Sequence, residues 1–152
     1  MNVKKSLLIQ KEAKDIFKYL NDFHNWPQWS PWLIADPNTS LNIDSDGKFY
    51  YWEGAVTGSG DMRVLNERKN KSLSCDLNFY KPWKSRAKVD FYLEEKDGGT
   101  EVTWTMQSSL PWFLFWMKKS RRKVQRLYLQ KYNSRNTTKG LFRSFSCIYC
   151  FG

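Results

Sequence analysis

Between Leu73 and Met106 the chain alternates apolar and polar residues in three successive runs, a pattern few folds accept. Leu73, Cys75, Leu77 and Phe79 share one parity in the first run. Ala87, Val89, Phe91 and Leu93 do so in the second, and Val102, Trp104 and Met106 in the third. A period of two sends successive side chains to opposite faces, so each run predicts a β-strand with one apolar face. Lys81-Pro82 ends the first run, and Asp97-Gly98-Gly99 is a hairpin turn between the second and third. The runs therefore predict an antiparallel meander. A sheet with one apolar face must bury it, and the usual partner is a helical layer.

The rest of the chain supplies candidates for that layer. Residues 3–10 alternate as a first strand, with Val3, Leu7 and Ile9 set against Lys4 and Gln10. Across residues 12–21 the period changes: Ala13, Ile16, Phe17 and Leu20 fall at i, i+3, i+4 and i+7, one face of an amphipathic helix. Asn21 and Asp22 end it. Asn25 before Trp26-Pro27 reads as the cap of a second short helix, on which Trp26, Trp29 and Trp32 share a face. Asp46-Gly47 turns the chain into a strand from Lys48 to Glu53. Gly58 and Gly60 then mark a break before a strand opened by Met62 and Val64. After Leu110-Pro111 the run WFLFWM, residues 112–117, is expected to begin a long C-terminal helix covering the sheet. The whole reads as an α+β chain, with a single domain over 1–135 and a basic, poorly periodic tail over 136–152.

Charge also divides the chain, after Glu101. Residues 1–101 carry 15 Lys+Arg and 15 Asp+Glu, whereas residues 102–152 carry ten basic residues and no acid. The net charge of +10 thus belongs to the last third, and the first two thirds read as an ordinary neutral domain. The run Lys118 to Arg126 offers contact with an anionic membrane surface or a phosphate backbone. A solvated helix face explains such a run equally, and no nucleic-acid-binding motif accompanies it, so nucleic acid is not an expected partner. The three cysteines and the absence of a long apolar stretch near the N-terminus point to a reducing, cytoplasmic setting. One histidine and the distant pair Cys147 and Cys150 do not make a metal site, so neither metal nor cofactor is expected.

The order strand, two short helices, long meander, C-terminal helix is that of a helix-grip fold. The stretch Asp22-Phe23-His24-Asn25-Trp26-Pro27-Gln28-Trp29-Ser30-Pro31-Trp32, followed by Asp36-Pro37, resembles the polyketide cyclase/dehydrase and lipid-transport family. That family belongs to the START and birch-pollen-allergen (SRPBCC) superfamily. Tyr50-x-Trp52-Glu53-Gly54, Gly58-Ser59-Gly60-Asp61-Met62 and Gly99-Thr100-Glu101-Val102-Thr103-Trp104 are similar to its later strands. The resemblance covers residues 3 to about 119. Beyond that the acid-free tail reads as an altered reading of the ancestral end, such as a frameshift, or as a lineage-specific replacement. The resemblance implies a curved antiparallel sheet gripping a long C-terminal helix, with an apolar cavity between them for a lipid, polyketide or similar small molecule.

Candidate ligand-binding residues follow from parity on the sheet and from position at its ends. They are Trp29, Trp32, Tyr50, Trp52, Met62, Leu77, Phe79, Val89, Phe91, Trp104 and Met106, with Phe113 and Met117 from the expected helix. Each is also the kind of residue a plain packed core contains. Glu53 and Asp61 are the expected polar anchors at a cavity mouth, and Tyr50 and Tyr92 are hydrogen-bond donors within reach of a ligand carbonyl. No catalytic residue is assigned. His24 has no nucleophile elbow to serve, and Cys75 alternates with leucines as a small buried residue would. A non-catalytic binder of a small hydrophobic molecule is the leading expectation. A cyclase/dehydrase-type enzyme acting on a polyketide-like or acyl substrate is the alternative, and it needs paired acid/base groups in the cavity.

Overall fold

The computed structural model describes residues 2–30, 33 and 36–109. Seven antiparallel strands form one curved sheet: β1 (Asn2–Ile9), β2 (Ser40–Ile43), β3 (Phe49–Gly54), β4 (Gly58–Arg68), β5 (Ser72–Lys81), β6 (Ser85–Lys96) and β7 (Gly99–Ser108). Their order is β1-β7-β6-β5-β4-β3-β2, so β2 to β7 run as a meander and β1 closes against the last strand. Helix α1 (Ala13–Leu20) and a 3-10 helix (Phe23–Gln28) connect β1 to β2. The expected long C-terminal helix, the boundary at residue 135, the tail, Trp32, Phe113, Met117 and the run Lys118 to Arg126 lie outside the described residues.

The three alternating runs are β5, β6 and β7, and every apolar residue named in them is buried. Cross-strand pairing assembles them into rows, which hold the sheet's inner face together. One row joins Leu73, Phe91 and Trp104, and the next joins Cys75, Val89 and Met106. Helix α1 lays Ala13, Ile16, Phe17 and Leu20 on this face, all of them buried. Phe23 and Trp26 follow from the 3-10 helix, and Trp26 meets Phe91 edge-on at 6.1 Å between ring centroids. The Trp26 indole N–H donates to the Leu20 carbonyl at 3.0 Å, satisfying one of the carbonyls that a helix C-terminus leaves open.

The structure corrects two local expectations. Asp22, not Asn25, caps the second helix: its carboxylate accepts from the His24 backbone N–H at 2.9 Å and lies 2.7 Å from His24 Nδ1. The helix begins at Phe23, ahead of the expected start, so the residue before it is Asp22 and Pro27 sits inside it. Gly47, with φ +69°, gives that carboxylate room, since a Cβ there would stand 2.2 Å from Asp22 Oδ1. Gly58 and Gly60 do not break the chain; both lie within β4. The strand is irregular at Ser59/Gly60 and again at Val64/Asn66, where the bulged Leu65 points to solvent.

Candidate functional site

The inner face carries nearly all the expected ligand-binding residues that are described. Tyr50, Trp52, Met62, Leu77, Phe79, Val89, Phe91, Trp104 and Met106 are buried on it, and Trp29 is buried beside Trp26 with ring centroids 4.5 Å apart. The rings form a continuous layer: Phe23 to Tyr50 at 4.9 Å, Tyr50 to Trp52 at 5.6 Å, Trp52 to Phe79 at 5.8 Å. Tyr50 Oη donates to Met62 Sδ at 3.7 Å. Tyr92, expected as a donor, is half exposed on the opposite face.

The expected polar anchors are corrected. Glu53 and Asp61 both stand on the outer face, because each alternates with an inward neighbour, Trp52 and Met62 respectively. Glu53 pairs with Lys81 Nζ at 2.8 Å, and that hydrogen bond with its charge holds the Glu53 carboxyl below its ordinary range. Asp61 accepts from Asn78 Nδ2 at 2.9 Å and from the Tyr80 hydroxyl, which pushes the Tyr80 pKa up. These two carboxylates therefore do not supply the cavity acid/base pair that the enzyme alternative requires. The inner-face thiol is no substitute: burial pushes the Cys75 pKa upward, so the thiolate is disfavoured. His24 and Asp22 are both about half exposed, paired with each other at 2.7 Å.

The inner face has a polar component that its sequence pattern hides. Pairing runs Leu41–Trp52–Gly60–Phe79–Ser85 across β2 to β6, making a row at the end of the sheet near the β5–β6 turn. Trp52 Nε1 and Ser85 Oγ in this row are both buried and have no hydrogen-bond partner among the described residues. Leaving such a group unsatisfied costs ~1–3 kcal/mol, so two in one row are a real expense. Gly60 shapes the row. A Cβ on it would stand 2.5 Å from Trp52 Cη2 and 2.3 Å from the Asn78 carbonyl, so only glycine lets the indole lie against β4. Ser30 Oγ, just past the 3-10 helix, is likewise buried without a partner.

An open cleft of about 660 Å³ lies at the same end of the sheet. Asn78, Phe79, Tyr80, Lys84, Ser85, Arg86 and Ser109 line it, and its wall is mostly apolar. Phe79 and Ser85 stand at inner-face positions and Asn78, Tyr80 and Arg86 at outer ones, so the cleft sits astride the hairpin end. Trp83, in the turn between β5 and β6, is exposed beside it. Sequence reasoning found Phe79 but missed Ser85, although its parity with Ala87 and Val89 marks it as inward-facing. No group of described residues could hold a metal ion, and no helix among them is long and apolar enough to cross a membrane.

Known proteins share this fold. The structure of protein MLL2253 from Mesorhizobium loti is similar at 17% identity and a TM-score of 0.56, over 90% of this chain and 100% of that one. Protein Mll3558 from Rhizobium loti is similar at 12% identity and a TM-score of 0.63, over 86% and 96%. The Aha1 dimer from Colwellia psychrerythraea is similar at 16% identity and a TM-score of 0.55, over 84% and 93%. At these identities the likeness is one of fold. No curated protein matches the chain. The family model described as Activator of Hsp90 ATPase homolog 1-like protein matches residues 11–122, a stretch that begins before α1, takes in strands β2 to β7 and ends within the basic run. With one-sided sheet, paired short helices and solved relatives in agreement, the chain belongs to the Activator of Hsp90 ATPase homolog 1-like family of the SRPBCC superfamily.

Proposed function

We propose that this protein binds a small, largely apolar molecule that carries hydrogen-bonding oxygen, against the inner face at the Trp52–Ser85 row. The observation that carries this reading is the pair of buried, unpartnered polar groups, Trp52 Nε1 and Ser85 Oγ, in one cross-strand row. A packed core gains nothing from them, since apolar side chains of similar shape would fill the same space without desolvation cost. A ligand that brings oxygen to the row turns that cost into affinity. Apolar walls with a few placed polar groups are the ordinary make-up of a small-molecule site, and 660 Å³ lies within the usual size of one. Family membership supports the same coarse reading.

The test is a titration of Trp emission with fatty acids, sterols and aromatic polyketide-like compounds, run in parallel on the Trp52→Phe variant. Saturable quenching or a blue shift is expected, at roughly micromolar affinity for a mostly apolar site of this size. The response is expected to weaken in Trp52→Phe, which keeps a ring but loses the N–H. A flat response across the panel would leave a plain packed domain.

A further inference from the structure

The cleft at the hairpin end has a chemical bias that the inner face lacks. Among the described residues its lining includes two cations, Lys84 and Arg86, and no carboxylate. Arg86 is held in place: its Nε donates to Asn78 Oδ1 at 3.0 Å and its Nη2 reaches Asp76 Oδ2 at 3.2 Å. Lys84 is exposed and has no hydrogen-bond or ion-pair partner among the described residues. Ser85 lies between them in sequence, is 8% exposed, borders the cleft and has an unpartnered hydroxyl. Next to these three residues the ring of Phe79 continues into Trp52 and the apolar interior. A buried hydroxyl without a partner among the described residues, an exposed ammonium on the same cleft and an apolar wall ask for one kind of group: an anionic oxygen at the end of a carbon body.

Resting on the binding function proposed above, we infer that the ligand is an apolar monocarboxylate whose head group is held at the hairpin end. The Ser85 side chain turns to bring its hydroxyl, closed off in the unliganded protein, to one carboxylate oxygen, Lys84 Nζ pairs with the charge from the rim, and the carbon body runs along Phe79. Charge-assisted hydrogen bonds are about twice as strong as neutral ones, so the ionised head is preferred over its neutral ester. Lys84 acts through solvent and contributes less than the buried hydroxyl.

Calorimetric titration of the full chain with dodecanoate and with methyl dodecanoate, at neutral pH and below aggregation of either, tests this. Dodecanoate should bind about tenfold tighter than the ester, the effect of one charge-assisted bond. Ser85→Ala should weaken dodecanoate about tenfold, and Ser85→Thr, which keeps the hydroxyl, should restore it. Lys84→Met should weaken dodecanoate about threefold and leave the ester unchanged. Ser85→Ala should melt no lower than the parent, because it removes an unpartnered group, so lost affinity there is not lost fold. Equal affinity for acid and ester, or variants that bind dodecanoate like the parent, would overturn the carboxylate assignment while leaving apolar binding standing. Failure of both compounds to bind would overturn the binding function as well.

Discussion

Two rows of the same inner face differ in what they are made of. The Leu73–Phe91–Trp104 row is carbon throughout apart from one indole nitrogen, and Trp26 packs on it from above. The Trp52–Gly60–Phe79–Ser85 row, four strands wide, holds a glycine, a serine and an indole N–H, and its two polar side-chain atoms have no partner. Both rows are buried, so burial alone does not separate them. The first is composed as a core is composed. The second holds two buried polar side-chain atoms where the first holds one, and in proteins such groups concentrate where something is to be bound.

Substitutions can break or sharpen this contrast, and the largest effect belongs to the first row. Phe91→Ala should destabilise by ~3–5 kcal/mol in urea melts, because it deletes a fully buried ring in contact with Trp26. Gly60→Ala should come next at ~1–3 kcal/mol, since its Cβ overlaps both the Asn78 carbonyl and the Trp52 ring. It should also shift Trp emission, because the added methyl displaces the Trp52 ring. Met62→Trp separates void from packed core: with space beside Met62 the fold holds and ligand response falls, whereas a filled core loses ~1–3 kcal/mol. The smallest effect is expected on the outer face, where Lys88→Ala should change stability by less than ~0.5 kcal/mol. Comparable losses for Phe91→Ala and Lys88→Ala would invalidate the assignment of faces.

Much of this contrast was legible in the amino-acid sequence, for a physical reason. Strand parity is a local property, so Leu73 to Phe79, Ala87 to Leu93 and Val102 to Met106 announce their face without knowledge of their neighbours. Helix α1 announces its face by the same logic at period 3.6. Glu53 and Asp61 show the rule when it is not followed through. The inward placement of Trp52 and Met62 already puts both acids outside, and position near a strand end does not override the pleat. Gly58 and Gly60 were harder. A glycine inside a strand reads as punctuation until the ring that lies against it is known, and Trp52 approaches Gly60 only once β3 and β4 pair. The Asp22 cap depends in the same way on Gly47, twenty-five residues away. The inward direction of Ser85 could be read from sequence, but the lack of an acceptor for its hydroxyl belongs to the packed molecule.

The most direct measurement is the change in Trp emission and in calorimetric heat as dodecanoate is added to the parent chain and to Ser85→Ala. A site at the Trp52–Ser85 row predicts saturable binding, a shifted emission and about tenfold weaker affinity in the variant. No saturable response in the parent, with Ser85→Ala melting well below it, would mean that the hydroxyl has a partner inside the fold and that the row is ordinary core.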